Sequence, residues 1–129
     1  MRRAVLWIVV SAGAALVLAG CGGTKKYSLA PTRACLEKDQ ALTLNDEVDF
    51  VASTAVGGAV SVVFGKRNEV TISFADDRDE AARLVLGYQR FAGKNIGLAD
   101  VLRPQKNAVL LWEAHPSDED AGTISHCLK

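Results

Sequence analysis

Residues 59–74 read AVSVVFGKRNEVTISF, and this stretch decides the fold. Apolar side chains alternate with small or polar ones on both sides of the connection at 65–68, as in two strands joined by a turn. Each strand therefore has one apolar face, which we expect to lie against the core. The residues of that face are Val60, Val62, Phe64, Val70, Ile72 and Phe74. The stretch predicts a β-hairpin, with strands at 59–64 and 69–74.

A long helix is predicted directly after the hairpin. Asp77 and Glu80 have the spacing of a capping box, in which the two side chains satisfy backbone amides at a helix start. Apolar residues then recur at helical spacing until Gly93, which favours a helix end. We therefore expect a helix over 78–92.

Shorter elements are predicted on both sides of this centre. Pro31 favours the start of a helix over 31–39, and the alternation at 41–44 is compatible with a strand. Asn45 or Asp46 can cap a second helix, which ends at 57–58. Farther on, 93–106 is a link that holds at most one helical turn, 107–113 is an apolar strand, and Ser117 begins a last helix.

These elements predict an α+β fold. From residue 41 the order is strand, helix, strand, strand, helix, strand, which is that of a ferredoxin-like split βαβ sandwich. That arrangement has a four-stranded antiparallel sheet with its first and third strands at the centre and both crossover helices on one face. The two remaining helices, one at each terminus, are expected to cover part of the other face.

The first twenty residues predict an export signal. A basic start, Met1-Arg2-Arg3, precedes an apolar run that ends in Leu18-Ala19-Gly20-Cys21. This ending resembles the lipobox of bacterial lipoproteins. The resemblance implies that the Cys21 thiol is acylated (diacylglyceryl and palmitate-type chains), that cleavage occurs before it, and that lipid holds the protein on the extracytoplasmic face of a membrane of the cell envelope. An uncleaved membrane helix is the alternative, since the apolar run is at the short end of the spanning range.

Under this interpretation residues 1–20 are a signal peptide, 21–28 a lipidated tether and 29–129 one domain. Removing 20 residues from 129 leaves 109, which suits a single core. Arg2 and Arg3 leave with the signal, so the 15 basic residues become 13 against 15 acidic ones. A slightly acidic domain with scattered basic residues disfavours nucleic-acid binding. Lys25 and Lys26 are part of the tether and would lie near lipid headgroups, or serve only to solubilise the linker.

Cys35 and Cys127 remain once Cys21 is assigned to lipid, and an oxidising compartment favours a disulfide between them. Closing a loop of roughly 90 residues stabilises a fold by up to about 4–5 kcal/mol. A zinc site with His115 and His126 is the alternative, but the usual ligand spacing is missing. We therefore expect no metal and no cofactor.

No catalytic motif occurs in the chain. Two carboxylate groups, at 76–80 and 118–120, fit helix N-termini better than a cation site. The weak candidate for binding is Trp112 beside the 93–106 link, whose apolar residues could equally be core. The sequence thus favours a non-enzymatic binding or accessory domain that contacts another envelope protein. The alternative is a small hydrolase or ligand-binding lipoprotein, with a pocket that joins His115 or His126 to a carboxylate.

Overall fold

The computed structural model describes residues 25–91 and 97–129. These residues form five helices and five strands: α1 (Leu29–Leu36), β1 (Thr43–Asn45), α2 (Phe50–Ser53), β2 (Ala59–Phe64), β3 (Asn68–Phe74), α3 (Arg78–Phe91), α4 (Leu98–Val101), β4 (Leu102–Gln105), β5 (Ala108–Trp112) and α5 (Asp118–Cys127). Within the described ranges, no helix has both the length and the apolarity to cross a membrane. The signal peptide and Cys21 lie outside those ranges, so the lipid anchor stays a prediction.

One antiparallel sheet contains the five described strands, in the order β1-β2-β3-β5-β4. The α+β class is therefore confirmed. So is the hairpin, whose β2 and β3 pair from Ala59 opposite Ser73 to Phe64 opposite Asn68. The alternation of side chains across these strands fixes which face is apolar, and that face is buried.

The four-stranded ferredoxin-like arrangement is not what the strand order shows. That arrangement requires the first strand at the centre of the sheet, whereas β1 lies at the edge, antiparallel to β2. The reason lies in the connection at 46–58, where α2 is a single turn of four residues. A crossover needs a longer connection, commonly a full helix, so the chain instead returns beside the strand that it has just left.

A second departure concerns the link at 93–106. Its residues 102–105 form β4, which pairs with β5 so that Leu102 lies opposite Leu111 and Pro104 opposite Val109. Since β5 is antiparallel to both β3 and β4, the path β3–α3–β4 joins two parallel strands with β5 inserted between them. Pro104 is tolerated because an edge strand has one side on which no amide hydrogen is needed.

Helices cover both faces of the sheet. Leu36 of α1 and Ile124 of α5 are fully buried against the apolar face of the hairpin. Leu84 and Tyr88 of α3 pack on the opposite face with Val109 and Leu102. The terminal helices thus lie opposite the crossover helix α3, as predicted, and they cover the more apolar face.

The first and last helices are joined covalently. The structure pairs Cys35 with Cys127, with 5.3 Å between their Cα atoms, which confirms the predicted disulfide. Main-chain contacts reinforce it: the Ser28 amide donates to the Lys129 main-chain oxygen at 2.6 Å, and the Lys129 amide donates to the buried Thr32 hydroxyl at 3.2 Å. The two cysteines therefore connect segments that already pack together.

Candidate functional site

Asp49 and Tyr88 join the short helix α2 to the long helix α3. Asp49 is the N-cap of α2, and its Oδ1 accepts the Ala52 amide at 2.9 Å. Its Oδ2 accepts the Tyr88 hydroxyl at 2.9 Å. Burial raises the pKa of Tyr88, so this hydroxyl stays protonated and keeps donating at physiological pH. The Asp49 carboxylate thus caps α2 and also holds it against α3.

Glu80 makes a second connection at the other end of the same helix pair. Its side chain is buried, and its two oxygens accept the Val56 amide at 2.7 Å and the Asp76 amide at 2.6 Å. The Glu80 amide in turn donates to the Asp77 carboxylate at 2.7 Å, which is one half of the predicted capping box. The other half differs, because the Glu80 carboxylate accepts the amide of Asp76, one residue before the cap. The connection at 46–58 is thus held to α3 at both ends, with α2 between them.

This support leaves two phenylalanine rings at the surface. Phe50, the first residue of α2, is 71% exposed, and Phe91, the last of α3, is 68% exposed. Their centroids are 5.9 Å apart and the rings are nearly perpendicular, which is a favoured aromatic geometry. We call this pair the Phe50–Phe91 ridge. In the sequence, Phe50 falls in the predicted second helix and Phe91 on the apolar spacing of the helix over 78–92, but helical spacing does not show whether another layer covers them.

A groove lies on each side of the ridge. The helix groove, of about 360 Å³, lies between α2 and α3 and is lined beyond the ridge by Val51, Thr54, Val56, Glu80, Arg83, Leu84 and Gly87. The sheet groove, of about 550 Å³, is lined beyond the ridge by Asp49, Val51, Tyr88, Leu98, Val101, Leu111, Trp112 and Glu113. Three of the four large apolar side chains that are exposed in the described ranges border these grooves, namely Phe50, Val56 and Phe91.

The two grooves and the ridge form one largely apolar surface. Its walls are mostly apolar, and the charged residues that line them are Asp49, Glu80, Arg83 and Glu113. Aromatic side chains that project beside apolar depressions are typical of the centres of protein interfaces. The arrangement can accept apolar side chains of a partner while the ridge inserts between them.

Trp112, the weak binding candidate of the sequence, lies mainly in the core. It is 2% exposed, and its ring centroid is 5.7 Å from that of Phe64. It also lines the sheet groove, together with Leu98 and Val101 from the link. The part of the link at 97–106 is α4 and β4, and residues 92–96 lie outside the described ranges.

The two histidines occupy separate places. His115 Nδ1 lies 2.8 Å from the Asp100 carboxylate, and both side chains are more than half exposed. His126 lines a different groove of about 740 Å³, beside the disulfide and Asp39. No hydrogen bond joins His126 to Asp39 in the described structure, and the Asp39 carboxylate accepts the Ala41 amide. General acid–base catalysis requires a histidine within reach of its partner and of a substrate. His115 contacts its carboxylate at an exposed position, whereas His126 shares a groove with Asp39 without a direct hydrogen bond.

The carboxylate groups lie at helix starts, as the sequence favours. Asp77 caps α3, and Ser117 caps α5 by accepting the Asp120 amide at 3.1 Å. Asp120 is buried, and Arg67 lies 3.4 Å from its carboxylate. Within residues 25–91 and 97–129, no group of three or more histidine, cysteine or acidic side chains is arranged to hold a metal ion.

Comparison of the chain with protein-family models, with characterised proteins and with solved structures finds no match.

Proposed function

We propose that this chain is a lipoprotein of the cell envelope, held on the extracytoplasmic face of a membrane by acylated Cys21, and that its domain binds another envelope protein. The binding surface is the Phe50–Phe91 ridge with the helix groove and the sheet groove. In this proposal the domain is an accessory or binding module without catalytic activity.

The observation that carries the binding proposal is the exposure of the ridge. Two phenylalanines in mutual contact remain 71% and 68% exposed, and the exposed Val56 lines the helix groove beside them. Fully burying such a side chain is worth about 1.5–3 kcal/mol, so covering this pair would contribute substantially to an interface. Buried aromatic residues with neighbouring pockets are the usual energetic centre of protein–protein contacts.

The supporting structure also suits a binding surface. Asp49 and Glu80 hold α2 and its flanking loops against α3 through hydrogen bonds of 2.6–2.9 Å. A surface that is already ordered before binding loses less conformational entropy when the partner arrives. The two rings of the ridge can therefore contact a partner with little further loss of conformational entropy.

A photocrosslinking experiment in the native envelope tests the binding proposal. A photoreactive phenylalanine analogue is introduced at Phe91 of the full chain, and the matched control carries it at Leu86. Leu86 is 60% exposed on the same helix and lines neither groove. We expect a discrete protein adduct from position 91 that is lost when Phe50→Ser is added. Equal adducts from both positions, or none from position 91, would contradict the proposal.

The anchor is tested separately by Cys21→Ala. We expect this variant to leave the detergent phase in a phase-partition assay or to accumulate as the uncut precursor, because the acceptor thiol for the lipid is gone. Mass spectrometry of the parent protein should show an acylated N-terminal cysteine. An unmodified Cys21 in a protein that stays in the membrane would instead support the uncleaved helix.

A further inference from the structure

The chain enters the domain at one end of the sheet. The Tyr27 amide donates to the Asn107 side chain at 2.8 Å, and the Asn107 side-chain amide donates to the main-chain oxygens of Tyr27 at 3.0 Å and Ala75 at 2.8 Å. Lys26 Nζ donates to the Asp76 main-chain oxygen at 2.8 Å. The entry is thus tied to the β4–β5 turn and to the segment between β3 and α3. We call this end of the sheet the entry end.

The entry end must lie close to the bilayer if Cys21 carries lipid, as the proposed function holds. Three residues lie between Cys21 and Lys25, the first described residue, so four steps along the backbone join the two. Even fully extended, they span at most about 14 Å. The lipid therefore keeps this end of the domain within reach of the headgroups.

Basic side chains collect at the entry end. Lys25, Lys26, Arg78 and Lys106 line one groove there, together with Asp76, Asp77 and Asn107. Both carboxylates have partners within the domain: Asp76 pairs with Lys26 at 3.0 Å, and Asp77 caps α3. The four basic side chains of this groove exceed its two carboxylates, which leaves a net charge of 4 − 2 = +2, although the domain as a whole is slightly acidic.

The opposite end of the sheet has the reverse charge. Arg67 of the β2–β3 turn lies 3.4 Å from Asp120, which places the start of α5 at that end, and Glu113 follows the last residue of β5. Around the β2–β3 turn and the start of α5, the acidic residues Glu69, Glu113, Asp118, Glu119 and Asp120 outnumber the basic residues Lys66 and Arg67. An anionic membrane would attract the entry end and repel the other.

Lys106 shows a further feature of the entry end. It has a positive φ of 54°, and no other non-glycine residue in the described ranges does. Glycine or asparagine would adopt this left-handed conformation more readily. The ammonium group lies 4.6 Å from the centroid of the Tyr27 ring, so the turn holds a positive charge directly beside the chain entry.

We propose that the entry end, through Lys25, Lys26, Arg78 and Lys106, binds the headgroups of anionic phospholipids and so orients the domain on the membrane. The helix α3 runs from Arg78 at this end to Phe91, about 20 Å along its axis. The orientation would hold Phe91 and the sheet groove away from the bilayer, where an envelope protein can reach them.

Lysine labelling on vesicles tests this orientation. The lipidated full chain is reconstituted in vesicles of phosphatidylcholine with or without phosphatidylglycerol, and acetylation of each lysine is followed by mass spectrometry. Each basic side chain at an anionic surface favours the bound orientation by about fivefold. Since four basic side chains contribute, we expect the labelling of Lys106 to slow by well over about fivefold on the anionic vesicles, and this protection to disappear at high salt. Lys66, in the turn at the opposite end, serves as the internal control and should be unchanged.

Variants of single exposed basic residues test the orientation without disturbing the core. Arg78→Gln should lower the protection of Lys106 by about fivefold, whereas Lys66→Gln should leave it unchanged. If the protein is anchored but Lys106 and Lys66 are labelled equally on both vesicle types, the orientation proposal is wrong while the lipid anchor stands. A protein that does not enter the vesicles contradicts the anchor, and the orientation proposal fails with it.

Discussion

Glu80→Ala is expected to destabilise the domain more than any change to an exposed carboxylate. The buried Glu80 side chain accepts two backbone amides, from Val56 and Asp76, which lie on different segments of the chain. Alanine removes both acceptors and leaves both amides without their partner. The connection at 46–58 then loses its hold on the start of α3.

The size of the effect follows from these two hydrogen bonds. A hydrogen bond to a charged group contributes about 1.5–3 kcal/mol. Val56 and Asp76 are themselves exposed residues, so water can partly replace the lost acceptor. We therefore expect a loss of about 2–4 kcal/mol in the free energy of unfolding. Glu80→Gln, which keeps one oxygen acceptor and the side-chain shape, should lose about 1–2 kcal/mol.

Urea unfolding followed by circular dichroism measures this free energy, and amide hydrogen exchange reports on Val56 and Asp76 directly. Asp79→Ala is the matched control, since Asp79 is an exposed neighbour in the same first turn of α3. That control should change stability by less than about 1 kcal/mol. If Glu80→Ala costs no more than Asp79→Ala, or if the two amides keep their protection, then Glu80 does not hold the connection as we infer.

Two further predictions concern the disulfide and two glycines. Reducing the Cys35–Cys127 bond should lower the free energy of unfolding by up to about 4–5 kcal/mol, because the unfolded chain gains conformational entropy when its long loop is opened. An unchanged urea midpoint in the presence of reductant would contradict this role of the disulfide. Gly57→Ala should cost about 1–3 kcal/mol, since a Cβ there would lie 2.4 Å from the Phe74 main-chain oxygen. Gly122→Ala in α5 meets nothing within 4 Å and should instead stabilise the domain by about 0.5–1 kcal/mol, so thermal melts of the two variants should shift in opposite directions.

Elements with strong local signals were predicted well. The hairpin and α3 match their predicted bounds within one residue, because alternating and helical spacing are properties of neighbouring residues. Ser117 caps α5 as expected for the same reason. The pairing of Cys35 with Cys127 also follows from simple counting, once Cys21 is assigned to lipid.

Elements whose form depends on distant contacts were not predicted. β4 is four residues long and contains Pro104, so only its pairing with β5 makes it a strand. The predicted second helix is only one turn long in the structure. The rest of its segment is instead held to α3 by the hydrogen bonds of Asp49 with Tyr88 and of Glu80 with Val56. With no full crossover helix, β1 takes the edge of the sheet rather than its centre.

The candidate site shows the same division. Spacing identifies Phe50 and Phe91 as apolar positions on helices, but not whether another layer covers them. Glu80 is identified as a capping residue, yet its contact with Val56 spans 24 residues of sequence. The sequence by itself therefore determines the helices and strands whose formation depends on neighbouring residues. It also determines the cysteine pair. The strand order, the exposed ridge and the charged ends of the sheet arise only from packing, because they depend on which distant residues meet.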